Sequence, residues 1–281
     1  MPDTKGRKHT YHAEATVLEG HLHLPLEQVI KPQAYASLPP HGGYLSQHAH
    51  DYKLEAVISF RSAYTQVAGN RDTKPGHGWS TLTTTSIEGL NILDVLTADR
   101  VVGQILTEHP LEGYVPRISF LGTRFENLRI AGHLVELDLD TGILGAKPAG
   151  DGAYTTDSGV IGRVSQQYSR IGEHGDLPAD LAEGYNRLSS TLGRQEAVEC
   201  SLVNRATGAY PGKNFGHLLC VPEFGTIALG KLHVKHEDFD KDAGVPKKTT
   251  VHLQMIDLKL GCAVAGHGGV GSGSSNGGTR P

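Results

Sequence analysis

Long apolar runs are missing from this sequence, and so are clustered cysteines. No stretch approaches the roughly 20 residues that a membrane-spanning helix needs, which excludes that class. The three cysteines, Cys200, Cys220 and Cys262, stand far apart with no CxxC spacing. That argues against a thiolate zinc site or a disulfide framework. Each lies in an apolar run and reads as a buried free thiol, and an odd thiol fits a reducing compartment. Excess positive charge is absent too. The formal net charge is −4 and the sequence pI about 6.5, which leaves no footprint for nucleic acid. The short basic pieces at residues 5–8 and 247–248 read as solvated surface. The polar N-terminus has no apolar core of a secretion signal. The expectation is a soluble, cytoplasmic chain with no nucleic-acid or membrane partner.

Aromatic residues are scarce, at 6%, whereas glycine is abundant, with 36 in 281 residues. Many glycines mean many turns, and a chain of this length buries enough surface to need no staple. Alternation is the dominant pattern. Along residues 53–65, Leu54, Ala56, Ile58 and Phe60 share one face, as expected of a half-buried strand. Ala13, Ala15 and Val17 share a face, but Leu22, Leu24 and Leu26 have the opposite parity. A bulge or turn at Glu19-Gly20 restores the register. Further strands are expected at residues 80–87, 99–106 and 117–121, then a hairpin of 125–130 with 134–139. Residues 142–159 read as a loop.

The period then changes. Ile161, Val164, Tyr168 and Ile171 recur at three and four, as do Leu177, Leu181, Tyr185, Leu188 and Leu192. This predicts a helical hairpin at about residues 160–193, with Asp176 as cap of its second helix, Pro178 in the first turn and Gly193 at the end. Strands resume at 197–204, 226–235 and 249–264, the last carrying Ile256, Leu258, Leu260, Cys262 and Val264 on one face. Residues 266–281 are glycine and serine with little to pack, which predicts a flexible tail. The reading is a mainly β protein, an antiparallel sandwich, roll or barrel. It has a flexible N-terminus over residues 1–10, one β-rich domain over 11–265, an inserted helical hairpin and a disordered Gly/Ser tail.

Motifs that carry chemistry mostly fail. Gly266-x-Gly268-x-x-Gly271 copies the dinucleotide fingerprint, but no helix follows to hold a pyrophosphate. Gly273-x-Ser275-x-Gly277 copies a hydrolase elbow without the strand-to-helix turn. Gly212-Lys213-Asn214 lacks the glycine spacing and hydroxyl of a phosphate loop. Asp238-x-Asp240-x-Asp242 begins like a calcium loop but has Ala243 and Thr249 where glycine and glutamate are needed. Asp138 and Asp140 share a strand face and read as surface. Any catalytic triad would rest on geometry that the sequence does not provide. Tyr11, Tyr35, Tyr44, Tyr52 and Tyr64 read as ordinary strand and turn residues.

The 16 histidines hold the open chemistry. His21-Leu22-His23 and His48-Ala49-His50 are H-x-H pairs, which on strands project both imidazoles to one face. Brought together, the two pairs supply the nitrogens that zinc or copper prefers. His12 lies near, and Asp51 can orient a ligand ring. The competing reading is a polar outer face. His233 and His236 are expected on opposite faces.

Three stretches also carry a resemblance: TTTSIEGLNILDVLTAD at residues 83–99, GTRFENLRIAGH at 122–133, and VPEFGTIAL at 221–229 with LKLGCAVAG at 258–266. In this order they resemble the choice-of-anchor P family of bacterial surface or secreted β-rich domains. The resemblance implies a β-rich fold and a surface or secreted setting as the alternative location. It brings no activity and no functional residue.

The sequence therefore predicts a non-enzymatic structural or binding protein, self-associating through strand edges or a flat sheet face. The alternative is a metal-dependent enzyme or metal-binding protein using His21, His23, His48 and His50 with zinc or copper.

Overall fold

The computed structural model describes residues 8–24, 27–71, 77–150, 152–238, 248–261 and 264–280. The chain opens on a long strand, β1 (Lys8–Leu24), followed by β2 (Gln28–Gln33) and β3 (Ala36–Ser37). A meander of four long strands comes next: β4 (Gly43–Leu54), β5 (Ile58–Arg71), β6 (His77–Ile92) and β7 (Leu96–Pro110). Five short strands follow, β8 (Arg117–Ser119), β9 (Arg124–Glu126), β10 (Arg129–Ile130), β11 (His133–Leu134) and β12 (Glu136–Leu139). Two helices, α1 (Ser158–Gly172) and α2 (Ala179–Thr191), lead into β13 (Ala197–Ser201), β14 (Val203–Thr207), β15 (Lys213–Phe215) and β16 (Leu218–Val221). Three long strands complete the order: β17 (Gly225–Glu237), β18 (Lys248–Gly261) and β19 (Ala265–Arg280).

These strands form two open antiparallel sheets and a small third one. The first runs β15-β16-β17-β18-β19-β1-β2, with β13 beside β17 and β3 beside β1. The second runs β11-β10-β7-β6-β5-β4, with β8 and β9 beside β7; β12 pairs with β14. The sheets pack face to face, β1 across β5 and β6, and β19 across β6 and β7. The fold is a mainly β sandwich with a helical hairpin.

One end of the sandwich is apolar. Leu18, Leu22, Phe60, Ile87, Leu90, Ile92, Leu96 and Ile256 are buried together there, each contributing roughly 2–3 kcal/mol of burial. The other end is packed with small and hydroxylated side chains instead. Thr65, Thr81, Thr83, Thr85 and Thr107 are buried beside Ala13, Ala15 and Val67. Two of their hydroxyls find partners across the gap: Thr107 and Ser275 share a hydrogen bond of 3.0 Å, and Thr83 donates to the Ser274 carbonyl at 3.2 Å.

This packing corrects the expectation of a disordered Gly/Ser tail. Residues 265–280 form β19, which pairs along its length with β1 on one side and β18 on the other. Several of its glycines sit where a larger residue meets a neighbour. A Cβ on Gly273 would stand 2.9 Å from Thr83 Cγ2, and one on Gly277 would stand 2.7 Å from the His9 ring. Gly271, at φ +66°, and Gly103 from the facing sheet leave the space that Met255 fills. The N-terminus departs likewise from the expected flexible segment, since β1 starts at Lys8 and pairs with Arg280; residues 1–7 lie outside the described residues.

The parity change in β1 falls at Val17 and Leu18, which are both buried. The ladder to β19 runs in register through Glu19-Gly20, whereas the ladder to β2 shifts register between Leu18 and Gly20, the irregularity expected at that level. The neighbouring strands switch at the same level, with Met255 and Ile256 both buried beside Val270. Leu24 is exposed, and Leu26 lies outside the described residues. The alternation over residues 53–65 crosses a hairpin turn at 55–57, where Glu55 takes a φ of +48° and Ala56 is exposed. The expected hairpin after Phe125 shrinks to β10–β11 around Ala131-Gly132, both left-handed, as a two-residue primed turn requires. Leu137 and Leu139 pair with β14 instead.

The helical hairpin stands where its period placed it. Asp157 caps α1, accepting from the Val160 amide at 3.0 Å. Asp176 does not cap α2: the cap position is Pro178, and the Asp176 carboxylate pairs with Lys213 at 2.7 Å. Helix α1 is anchored by Gln167, which exchanges two hydrogen bonds with the Ser201 backbone, at 2.8 and 3.0 Å. Among the described residues, no helix is long and apolar enough to cross a membrane.

Candidate metal centre

The two H-x-H pairs fall on different sheets. His21 and His23 lie near the end of β1 and share one face, with ring centroids 4.3 Å apart. His48 and His50 lie on β4, at the edge of the opposite sheet, exposed, with rings stacked at 6.3 Å. His48 packs on Tyr64 across the strand pair, and Asp51 is an exposed left-handed residue beside them. The expected four-histidine site on His21, His23, His48 and His50 is therefore not assembled: the pairs belong to opposite layers of the sandwich.

The structure brings other donors to the first pair. Glu27, just before β2, turns back so that its carboxylate lies 3.5 Å from His21 Nε2. One donor atom each from His21, His23 and Glu27 lie within 4.8 Å of one another. A fourth side chain stands alongside. His267 on β19 is paired directly with His21 in register, and its ring lies 5.7 Å from that of His23 and 6.1 Å from that of His21. His21 is half-buried and the other three are exposed, so an ion held here keeps a solvent-facing position.

Beside the cluster the sheet surface is bare. Gly20, Gly268 and Gly269 from β1 and β19 floor an open trench of 480 Å³, which His21, His267, His252, Gln254 and Asp257 also line. Burial, with His233 next to it, lowers the pKa of His252.

The other candidates take structural places. Cys200 is fully buried and its thiol is pushed up to about 12, mainly by desolvation; Cys220 is half-buried and also raised. Cys262 lies outside the described residues, as do residues 239–247, which include most of the calcium-like acidic string. Asp140 accepts from the Gly142 amide at 3.0 Å and shapes a turn, and Asp138 is exposed. His236 is buried against Thr249, while His233 faces the other way. Tyr11 is buried, Tyr52 and Tyr64 are half-buried, and Tyr35 and Tyr44 are exposed. The string from Gly266 to Gly271 lies within β19, with no helix after it.

A family model described as a domain of unknown function, DUF8256, matches residues 9–235. The chain belongs to DUF8256. The match covers the four-strand meander, the helical hairpin and His21, His23 and Glu27. It ends within β17, so β18, β19 and His267 lie beyond it. No curated protein and no solved structure matches the chain.

Proposed function

We propose that this DUF8256 protein is a non-enzymatic binding protein whose ligand is a divalent transition-metal ion held by His21, His23 and Glu27. The observation that carries the reading is the convergence of two imidazoles and a carboxylate within 4.8 Å. Two nitrogens and an oxygen at this spacing suit zinc or copper, and three protein donors leave one position for water or a further ligand. His267 is within reach of the same ion by a change of rotamer and would complete a four-donor set. The ion would then tie β1 to β19, the strand pair that joins the two ends of the described chain.

Calorimetric titration of untagged, metal-stripped protein with Zn(II) and Cu(II) tests this. One equivalent is expected, with affinity falling at least roughly tenfold in His21→Ala and His23→Ala and falling in acid, because the donors must be unprotonated. His48→Ala should bind as the parent does. Binding that persists in the His21→Ala, His23→Ala double variant would sink the reading. The likeness to choice-of-anchor P domains adds a β-rich setting and no ligand.

Self-association through a sheet edge is the second reading. The observation that favours it is the outer strand β2, which leaves Val29 67% exposed, with Leu24 at the end of β1 exposed as well. Light scattering across protein concentration decides it: a strict monomer rules it out.

A further inference from the structure

The two helices of the hairpin are held differently. Helix α1 buries Val160, Val164, Gln167, Tyr168 and Ile171, whereas α2 buries no residue. The apolar face of α2, Leu181, Tyr185 and Leu188, is only half-covered, because a cleft of 330 Å³ runs between it and the sheet. Salt bridges at its N-terminal end tie α2 down, Asp180 to Lys259 at 3.8 Å and, just before the helix, Asp176 to Lys213 at 2.7 Å. Mid-helix glycine costs about 1 kcal/mol relative to alanine, so Gly184 needs a reason. It lines this cleft, and a Cβ there would meet nothing within 4 Å. No neighbour excludes a side chain at Gly184; the opening itself is what its absence preserves.

The cleft wall offers hydrogen bonding without net charge. Tyr185 and His217 Nε2 are hydrogen-bonded at 2.9 Å, and the buried Nδ1 of His217 has no hydrogen-bond partner. Tyr168 sets its ring edge-on to Tyr185 at 5.6 Å, and Leu218 and Ala228 supply apolar floor. Burial keeps His217 neutral, its pKa lowered to about 4, and keeps the Cys200 thiol protonated. The charges around the cleft are matched in sign. Lys231 is paired with Asp257 at 3.2 Å, Lys259 with Asp180, and the exposed Arg187 faces a rim that also holds Glu199. Both lysines already hold carboxylate partners, so burying an ionised guest against this wall would be costly.

We propose that the cleft beneath α2 is a second binding site, for a small uncharged molecule with an apolar ring and one hydrogen-bonding group directed to the His217–Tyr185 pair. Its size is that of the smaller ligand pockets, and its lining is apolar with a few convergent polar groups, as such sites require. The ring packs between α2 and the floor at Leu218 and Ala228, and the polar group meets the Tyr185 hydroxyl that His217 orients.

The test is ligand-observed NMR titration with benzyl alcohol, benzoate and benzylamine, run in EDTA so that metal binding has no part in it. Benzyl alcohol should bind saturably, and its two charged analogues at least roughly tenfold more weakly, as desolvation of an ion demands. Gly184→Leu should abolish benzyl alcohol binding by filling the cleft, and should raise the melting temperature through helix propensity. Gly184→Ala, a smaller change on the same helix face, should weaken binding and also stabilise. Equal binding of all three probes, no saturable binding of any, or undiminished benzyl alcohol binding in Gly184→Leu each overturns the proposal.

Discussion

His9 and His109 stand inside the sandwich as neutral rings. His9 stacks on Trp79 at 5.0 Å and meets His109 at 4.7 Å, and Gly277 passes against both. Burial lowers His9 to about 4 and His109 to about 3, and the same cause lowers His217 to about 4. In the unfolded chain these rings take up protons near 6.5. Between that value and their folded values the unfolded state binds more protons, so stability rises with pH there. Urea midpoints should therefore be flat above pH 7 and fall steadily from about 6.5 towards 4; a flat profile down to pH 4 would contradict the burial of these rings. Gly277→Val should cost about 1–3 kcal/mol in the same assay at pH 7.5, because both imidazoles would have to move. At this scale the proposed metal donors were half legible. The H-x-H spacing of His21 and His23 is visible in any strand, but His48-Ala49-His50 has the same spacing and lies on the other sheet. Glu27 reaches the site only through the chain reversal before β2, and His267 lies in a stretch whose composition hid its strand.

Among elements, the helical hairpin was the easiest to read, since a three-and-four period over two helices has no β counterpart. Its first cap is also specific: Asp157→Ala should cost about 1 kcal/mol in urea denaturation. Strand β19 was illegible for a physical reason. Glycine and serine in isolation lack apolar surface, and that normally means disorder. Here the missing volume is supplied by Thr83 and His109 from the facing sheet and by Met255 and His9 from the strands beside it. The threonine-rich run of β6 is the other half of that fit. Gly273→Val, which would set a branched side chain against Thr83 Cγ2, should destabilise by about 1–3 kcal/mol. The same substitution at Gly132, in an open turn on the surface, tests backbone strain alone, because a left-handed β-branched residue is disfavoured even with space around it.

For the whole molecule, the order of strands matters more than any one contact. Composition and alternation gave a sandwich, roll or barrel with a helical insertion, but neither which of the three nor which strands lie at the centre. β19 separates β18 from β1, so a chain cut after residue 264 leaves two strands with bare edges in the middle of one sheet. Such a truncation should show no cooperative thermal transition by circular dichroism, whereas a removable tail would leave the melt unchanged. The pairing of β1 with β19 has a further consequence during synthesis. β1 is made before β19, with the meander, the hairpin and β17–β18 between them. As the ribosome delivers the chain, the second sheet can close on itself at once, but the first cannot gain its central strand until β19 emerges. The nascent protein thus carries β1 with one edge unpaired from the synthesis of β1 until that of β19, a species that invites chaperone capture.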